Sequence, residues 1–83
     1  MLEQDDKARL DLILGKLLGD FYIEKNEHQL IELEIKVRTI LETIYSEEER
    51  KYLLNRILNL NKKRPKPVKK NIDIIRTEIE KQL

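Results

Sequence analysis

Aliphatic residues recur along this chain with the spacing of an α-helix. At about 100° per residue, the apolar positions of the first segment share one side of a helix. They are Leu10, Ile13, Leu14, Leu17 and Phe21. The acidic residues before them favour a helix start, where the macrodipole is positive, and Gly19-Asp20 is typical of a helix end. The pattern predicts a first helix over about residues 3–18, with a frayed end reaching toward Tyr22.

The second segment carries two competing patterns. Apolar and charged residues alternate over residues 31–38, as they do in a β-strand. The alternation then stops, whereas a helical stripe runs on through Leu30, Leu33, Val37, Ile40, Leu41 and Ile44. Because Glu and Lys are poor strand formers, the helix is favoured, over about residues 27–45. Asn26 and Gln29 have the spacing of a capping box at its start.

A second capping signal divides the middle of the chain. Ser46 is followed three residues later by Glu49, and a broad stripe comes next: Leu53, Leu54, Ile57, Leu58 and Leu60. On one continuous helix this stripe would be rotated by about 130° from the preceding one. A break at Tyr45-Ser46 is the simpler interpretation, and it predicts a separate helix over residues 47–60.

A basic connection over residues 61–70 sets off the last predicted helix. Pro65 and Pro67 bias the residues before them to extended backbone and interrupt any helix. Asn71 is the predicted N-cap of a helix over residues 71–83, with the stripe Ile72, Ile75, Ile79 and Leu83. A helix this short is marginal in water, so it must dock on its own bundle or on another chain.

These elements predict an all-α fold in one domain, residues 1–83. The expected architecture is a small antiparallel bundle of three or four helices, its last helix set off by the basic, proline-containing connection. The composition agrees, because Leu and Ile dominate the apolar residues while the chain has two Gly and two Pro. A chain of 83 residues buries only about 60–65% of its unfolded surface, so self-association would add stability.

Cysteine usage and the N-terminal sequence favour a cytoplasmic protein. The absence of Cys excludes disulfides and thiolate metal sites. The N-terminus lacks the basic start and the apolar run of a signal peptide. The longest unbroken apolar run is three residues, so we expect no transmembrane segment.

The residue types that catalysis and metal binding need are scarce. The chain has one Ser (Ser46), which is explained as a cap, and one His (His28). His28 is flanked four residues away by Glu24 and Glu32, but a cap at Asn26 would take Glu24 off the helix. A structural zinc site would also need more His or Cys ligands. We therefore expect no enzyme, no cofactor, no metal site and no small-molecule substrate.

Two surfaces are candidates for binding. A possible second packing face of the first helix consists of Ala8, Leu12, Gly15 and Gly19, where small residues would let another helix approach closely. The alternative is that Gly19 ends the helix and Gly15 is tolerated at a cost of about 1 kcal/mol. Apolar residues away from the main stripes would also form an interface if the fold made them contiguous: Leu12, Ile23, Tyr52 and Ile74.

The second candidate surface is the basic segment, defined as Lys62, Lys63, Arg64, Lys66, Lys69 and Lys70. The chain has a net charge of +1, but residues 1–61 alone carry −4 and residues 62–83 carry +5. The basic segment is suited to nucleic-acid phosphate, an acidic protein or an anionic membrane surface. Alternatively, it is a solvated loop that balances the acidic helices within the chain. It contains no aromatic residue for base stacking.

The favoured function is a non-enzymatic protein-interaction or regulatory module: an adaptor, inhibitor or assembly subunit. It would act through amphipathic helix faces, as a homodimer or bound to another protein. The alternative function is a nucleic-acid-binding accessory protein that uses the basic segment, residues 62–70.

Overall fold

The computed structural model describes residues 2–44 and 46–82, and this part of the chain is helical without strands. Five helices pack together: α1 (Gln4–Lys16), α2 (Leu18–Tyr22), α3 (Glu27–Leu41), α4 (Glu47–Leu60) and α5 (Lys69–Lys81). The predicted all-α class is therefore confirmed, and the strand alternative for residues 31–38 is wrong. The stripe over α3 prevails because it continues through buried Val37 and Leu41.

The first predicted helix divides into two. Instead of reaching residue 18, α1 ends at Lys16, and the chain turns at Leu17, whose N–H donates to Leu14 O at 3.0 Å. This tighter turn allows Leu17 and Phe21 both to face the core, where they are 3% and 1% exposed. Gly19 lies inside α2, so the expectation that it ends the first helix is wrong.

The predicted capping box at Asn26 is confirmed, and at Ser46 the structure gives the cap itself, one half of the box predicted with Glu49. At the start of α3, the Gln29 N–H donates to Asn26 Oδ1 at 2.8 Å, and the Asn26 N–H donates to Gln29 Oε1 at 2.9 Å. At the start of α4, the Glu49 N–H donates to Ser46 Oγ at 3.2 Å. The helix before this cap ends at Leu41 rather than at residue 45, and Tyr45 lies outside the described residues.

One hydrophobic core collects the predicted stripes from α1–α2, α3, α4 and α5. Its fully buried side chains include Leu10, Phe21, Ile44, Ile57 and Ile75. Burial of each such side chain contributes about 1.5–3 kcal/mol relative to leaving it in water. Leu83, predicted to belong to the last stripe, lies outside the described residues.

The last helix packs within its own chain and begins earlier than predicted. It starts at Lys69 after the N-cap Val68, whose N–H donates to Phe21 O at 2.7 Å. It packs against α2, α3 and α4. Asn71 is therefore not an N-cap. It is fully buried inside α5, because its side chain faces the turn that follows α2.

Contacts between helices also give their directions. Arg9 pairs with Glu49, and two residues further along α1 the Tyr52 hydroxyl donates to Asp11 Oδ1 at 3.0 Å. Positions advance together along both helices, so α1 and α4 run in parallel. This parallel packing sets the C-terminal half of α1 and α2 beside the C-terminal half of α4, where the candidate site lies.

Candidate interaction surfaces

The basic segment is exposed throughout and spans the connection and the first turn of α5. All six of its side chains are exposed. Within residues 2–44 and 46–82, none of them is in an ion pair, so direct contacts with the acidic helices do not neutralise the segment. Basic residues that do form ion pairs lie elsewhere: Arg9, Lys25, Lys36, Arg38, Lys51, Arg56, Arg76 and Lys81.

Two cations of the basic segment lie at an unfavourable position of a helix. Lys69 and Lys70, predicted to lie in the linker, form the first turn of α5, which has no acidic residue and no side-chain cap. Cations at a helix N-terminus oppose the macrodipole, which favours negative charge there. An anion beside this turn would therefore be attracted by both the side chains and the helix.

The predicted packing face of the first helix is on the surface. Its four residues, Ala8, Leu12, Gly15 and Gly19, are all exposed, and Leu12 is 70% exposed. A Cβ atom added at Gly15 would have no described atom within 4 Å, and one at Gly19 would contact Ile23 Cδ1 at 3.5 Å. Gly15 therefore leaves open space above the helix backbone, whereas the space at Gly19 borders the Ile23 side chain.

Two further exposed apolar residues, Leu18 and Ile23, extend this surface. The sequence pattern did not indicate Leu18 as an interface residue. The two side chains are 55% and 62% exposed. We call the combined surface the α1–α2 face, defined by Ala8, Leu12, Gly15, Leu18, Gly19 and Ile23. Leu18 lies outside the arc of the stripe that holds Leu14, Leu17 and Phe21, and its side chain is exposed.

A groove runs between the α1–α2 face and α4. Its apolar lining comes from Leu14, Gly15, Leu18, Phe21 and Leu60, and its polar lining from Arg56, Asn59 and Lys63. We call it the α1/α4 groove. Its volume is about 170 Å³ and it is open to solvent. Lys63 belongs both to the groove and to the basic segment, so the two surfaces are continuous.

Of the two cations that line the groove, Arg56 has an ion-pair partner at the edge of the groove. Arg56 Nε lies 3.5 Å from Asp11 Oδ1, and the Arg56 side chain remains about half exposed. Asp11 also accepts the hydrogen bond from Tyr52. Burial raises the pKa of the Tyr52 hydroxyl, and its hydrogen bond to Asp11 raises that pKa further. Tyr52 is thus engaged within the chain rather than available to a partner.

The off-stripe apolar residues do not form one patch. Ile74 lines a shallow depression with Leu30 and Ile31 between α3 and α5, and it packs against the core. Leu12 and Ile23 belong instead to the α1–α2 face. A further pair, Ile31 and Ile35, is exposed on α3, each at 56%.

The buried acidic residue Glu78 is part of an ion-pair network. Arg38 Nε lies 3.0 Å from one of its carboxylate oxygens, and Lys81 Nζ lies 3.3 Å from the other. Burial raises the pKa of this carboxyl, but the hydrogen bonds and charges of Arg38 and Lys81 outweigh burial, so the net pKa is lowered. Glu78 is therefore ionised and paired, and it holds α5 against α3.

The residues considered for chemistry have structural contacts. Ser46 caps α4, and His28 Nε2 lies 2.9 Å from Glu32 Oε1 on the exposed surface of α3. Glu24 precedes α3. Among the described residues, no group of three or more His, Cys, Asp or Glu side chains is arranged to hold a metal ion. The described helices also include none with the length and apolar character needed to cross a membrane.

No protein-family model, curated protein sequence or solved structure matches this chain. Function is therefore inferred from the surfaces of the molecule: the α1–α2 face with its groove, and the basic segment.

Proposed function

We propose that this chain is a non-enzymatic protein-interaction module that binds through the α1–α2 face. The observation that supports this proposal is the exposure of Leu12, Leu18 and Ile23, each more than half accessible to water. Apolar side chains exposed on one part of a protein surface are typical of interfaces when they form a contiguous patch. The open space at Gly15 adds room for another helix to approach closely.

The proposed scaffold is a four-helix bundle in which α1 and α2 together occupy one position. In this arrangement α5 packs against α2, α3 and α4, and the α1–α2 face points outward. The partner is a second copy of this chain or another protein.

Position 12 provides the test. A photo-crosslinking residue at Leu12 should give a discrete adduct in cells, whereas the same residue at Ile35 should not. Leu12→Glu should abolish the adducts formed from a crosslinker at Leu18. Ile35→Glu is the matched control, because Ile35 is also an exposed aliphatic residue on a helix. A strictly monomeric protein by light scattering, together with no adduct from position 12, would contradict the proposal.

A second candidate function is binding to nucleic acid through the basic segment. It is supported by six exposed cations that form no ion pair in the described part of the chain. Phosphate contacts of this kind are electrostatic and tolerate irregular spacing. Binding should be about micromolar or weaker and should fall steeply with salt.

Replacement of Lys62, Lys63 and Arg64 by Ala should weaken this binding and reduce its salt dependence. The control replaces three lysines outside the segment, Lys7, Lys16 and Lys51, and so removes the same charge. An equal loss of nucleic-acid affinity in both triple variants would indicate that total charge, and not the basic segment, determines binding. No shift of DNA or RNA at low salt would exclude this function.

A further inference from the structure

We propose that the α1/α4 groove binds an acidic amphipathic helix of another protein. An aliphatic side chain of that helix would lie over Gly15, and a carboxylate would lie beside Arg56 and Lys63. This inference rests on the proposed function and identifies the chemistry of the partner at the same surface.

The floor of the groove is apolar and held in place from below. Leu14 and Phe21 line it while they are 8% and 1% exposed, so their side chains are fixed by the core. Leu18 stands at its side, more than half exposed. Because Gly15 has no side chain and no described neighbour above it, the floor stays accessible there. An aliphatic side chain placed at this point would pack beside Leu18, which supplies most of the apolar surface that now meets water there.

The size of the groove favours a side chain over a whole small molecule. Its volume is about 170 Å³. Sites for small molecules and cofactors are usually about 300–1,000 Å³ and enclose most of the ligand. The groove therefore fits one or two side chains from a larger partner that lies along the surface.

Charge selects an acidic partner. Arg56 meets Asp11 through Nε at 3.5 Å and stays half exposed, and Lys63 has no ion-pair partner among the described residues. A carboxylate at this edge would form charge-assisted hydrogen bonds. The basic segment continues beyond Lys63 and would attract an acidic protein over a longer range.

The same charges disfavour a second copy of this chain. A two-fold symmetric contact uses the same patch on both subunits, so it would bring two copies of the positive groove edge, with Arg56 and Lys63, into one interface. Asp11, the carboxylate at the edge of the groove, is already paired with Arg56 of its own chain.

A displayed library of amphipathic helices tests the proposal. Each member has the same Leu face, and its flanking positions vary among Glu, Gln and Lys. Selection on the wild-type protein should enrich Glu at the flanks. Enrichment of Gln or Lys, or no enrichment over bare beads, would overturn the proposal.

The most enriched peptide then serves as the probe for variants. Gly15→Gln should weaken its binding at least tenfold without lowering the melting temperature, because Gln is a better helix former than Gly and has open space at this position. Ile35→Gln, at an exposed position of α3 outside the groove lining, is the control and should bind normally. Lys63→Glu should also weaken binding. Equal affinity for the wild type and Gly15→Gln would refute the groove as the site.

The outcomes separate this inference from the proposed function. If a crosslinker at position 12 gave adducts but the library did not enrich acidic helices, the proposed interaction module would stand and the proposed acidic partner would be wrong. A crosslinked adduct of twice the chain mass would identify a second copy as the partner. Two results together would show that the partner is not a protein helix. An oligonucleotide or anionic vesicles would displace the peptide from the wild type, and Gly15→Gln would weaken their binding as much as it weakens binding of the peptide.

Discussion

Asn71 connects the last helix to the turn after α2, and its removal should be costly. Its side-chain amide nitrogen donates to Asp20 O and to Ile23 O, both at 2.8 Å. The residue is fully buried, and its Oδ1 has no hydrogen-bond partner among the described residues. Asn71→Ala deletes both donors and leaves two backbone carbonyls at a buried position.

The expected loss is about 2–4 kcal/mol. Each hydrogen bond contributes about 0.5–1.5 kcal/mol net, and carbonyls left without a donor add a desolvation cost of about 1–3 kcal/mol. Removal of the unpartnered Oδ1 offsets part of this cost. A chain of 83 residues should have a total stability of about 4–12 kcal/mol, so the variant would lose a large fraction of it. Asn71→Asp should lose more at neutral pH, because a carboxylate would then face two carbonyl oxygens.

Urea unfolding followed by circular dichroism measures this loss. Asn55→Ala is the control, because Asn55 is exposed on α4 and its replacement by Ala should be neutral or slightly stabilising. The reasoning would be refuted if Asn71→Ala lay within about 0.5 kcal/mol of the wild type, which is the usual range for surface substitutions. It would also be refuted if Asn71→Asp were as stable as Asn71→Ala at pH 7.

Three further predictions concern stability. The pKa of Glu78 is lowered from its ordinary value of 4.5 in the fold, so its ionised form stabilises the protein above that pH and the contribution is lost as pH falls. The stability difference between the wild type and Glu78→Gln, measured by urea unfolding, should therefore shrink from pH 7 to pH 3, and a constant difference would contradict the ion-pair assignment. Ser46→Ala removes the α4 cap and should cost about 1 kcal/mol, whereas Ser46→Asp should restore most of it in the same assay. Gly15→Ala should raise stability by up to about 1 kcal/mol, because the position is helical and unobstructed, and a lower melting temperature would show that something covers it.

The helices and their buried sides could be predicted because they depend on local rules. The stripes of α3 and α4 follow helical spacing, and their caps Asn26 and Ser46 bond to backbone N–H groups only three residues away. The break at Leu17 could not be predicted in this way. It depends on the burial of Leu17 and Phe21 in the core, and the sequence has no proline there.

The sequence-based prediction is wrong or incomplete where segments that are far apart in the sequence come into contact. Asn71 has the residue type of an N-cap, but its partners Asp20 and Ile23 lie 51 and 48 residues earlier in the chain. The α1/α4 groove likewise depends on the parallel packing of α1 and α4, which brings Arg56 beside Asp11. Gly15 was the one sequence signal for the groove, because it leaves a gap on an otherwise side-chain-covered helix.

The position of α5 in the chain has a consequence for synthesis. A ribosome releases α1 to α4 before α5, yet α5 supplies Ile72, Ile75 and Ile79 to the core and packs against α2, α3 and α4. Until α5 emerges, the sides of α2, α3 and α4 that it covers in the fold remain uncovered. Productive folding of the nascent chain therefore waits for α5, and in that interval the chain exposes aliphatic surface to chaperones and proteases.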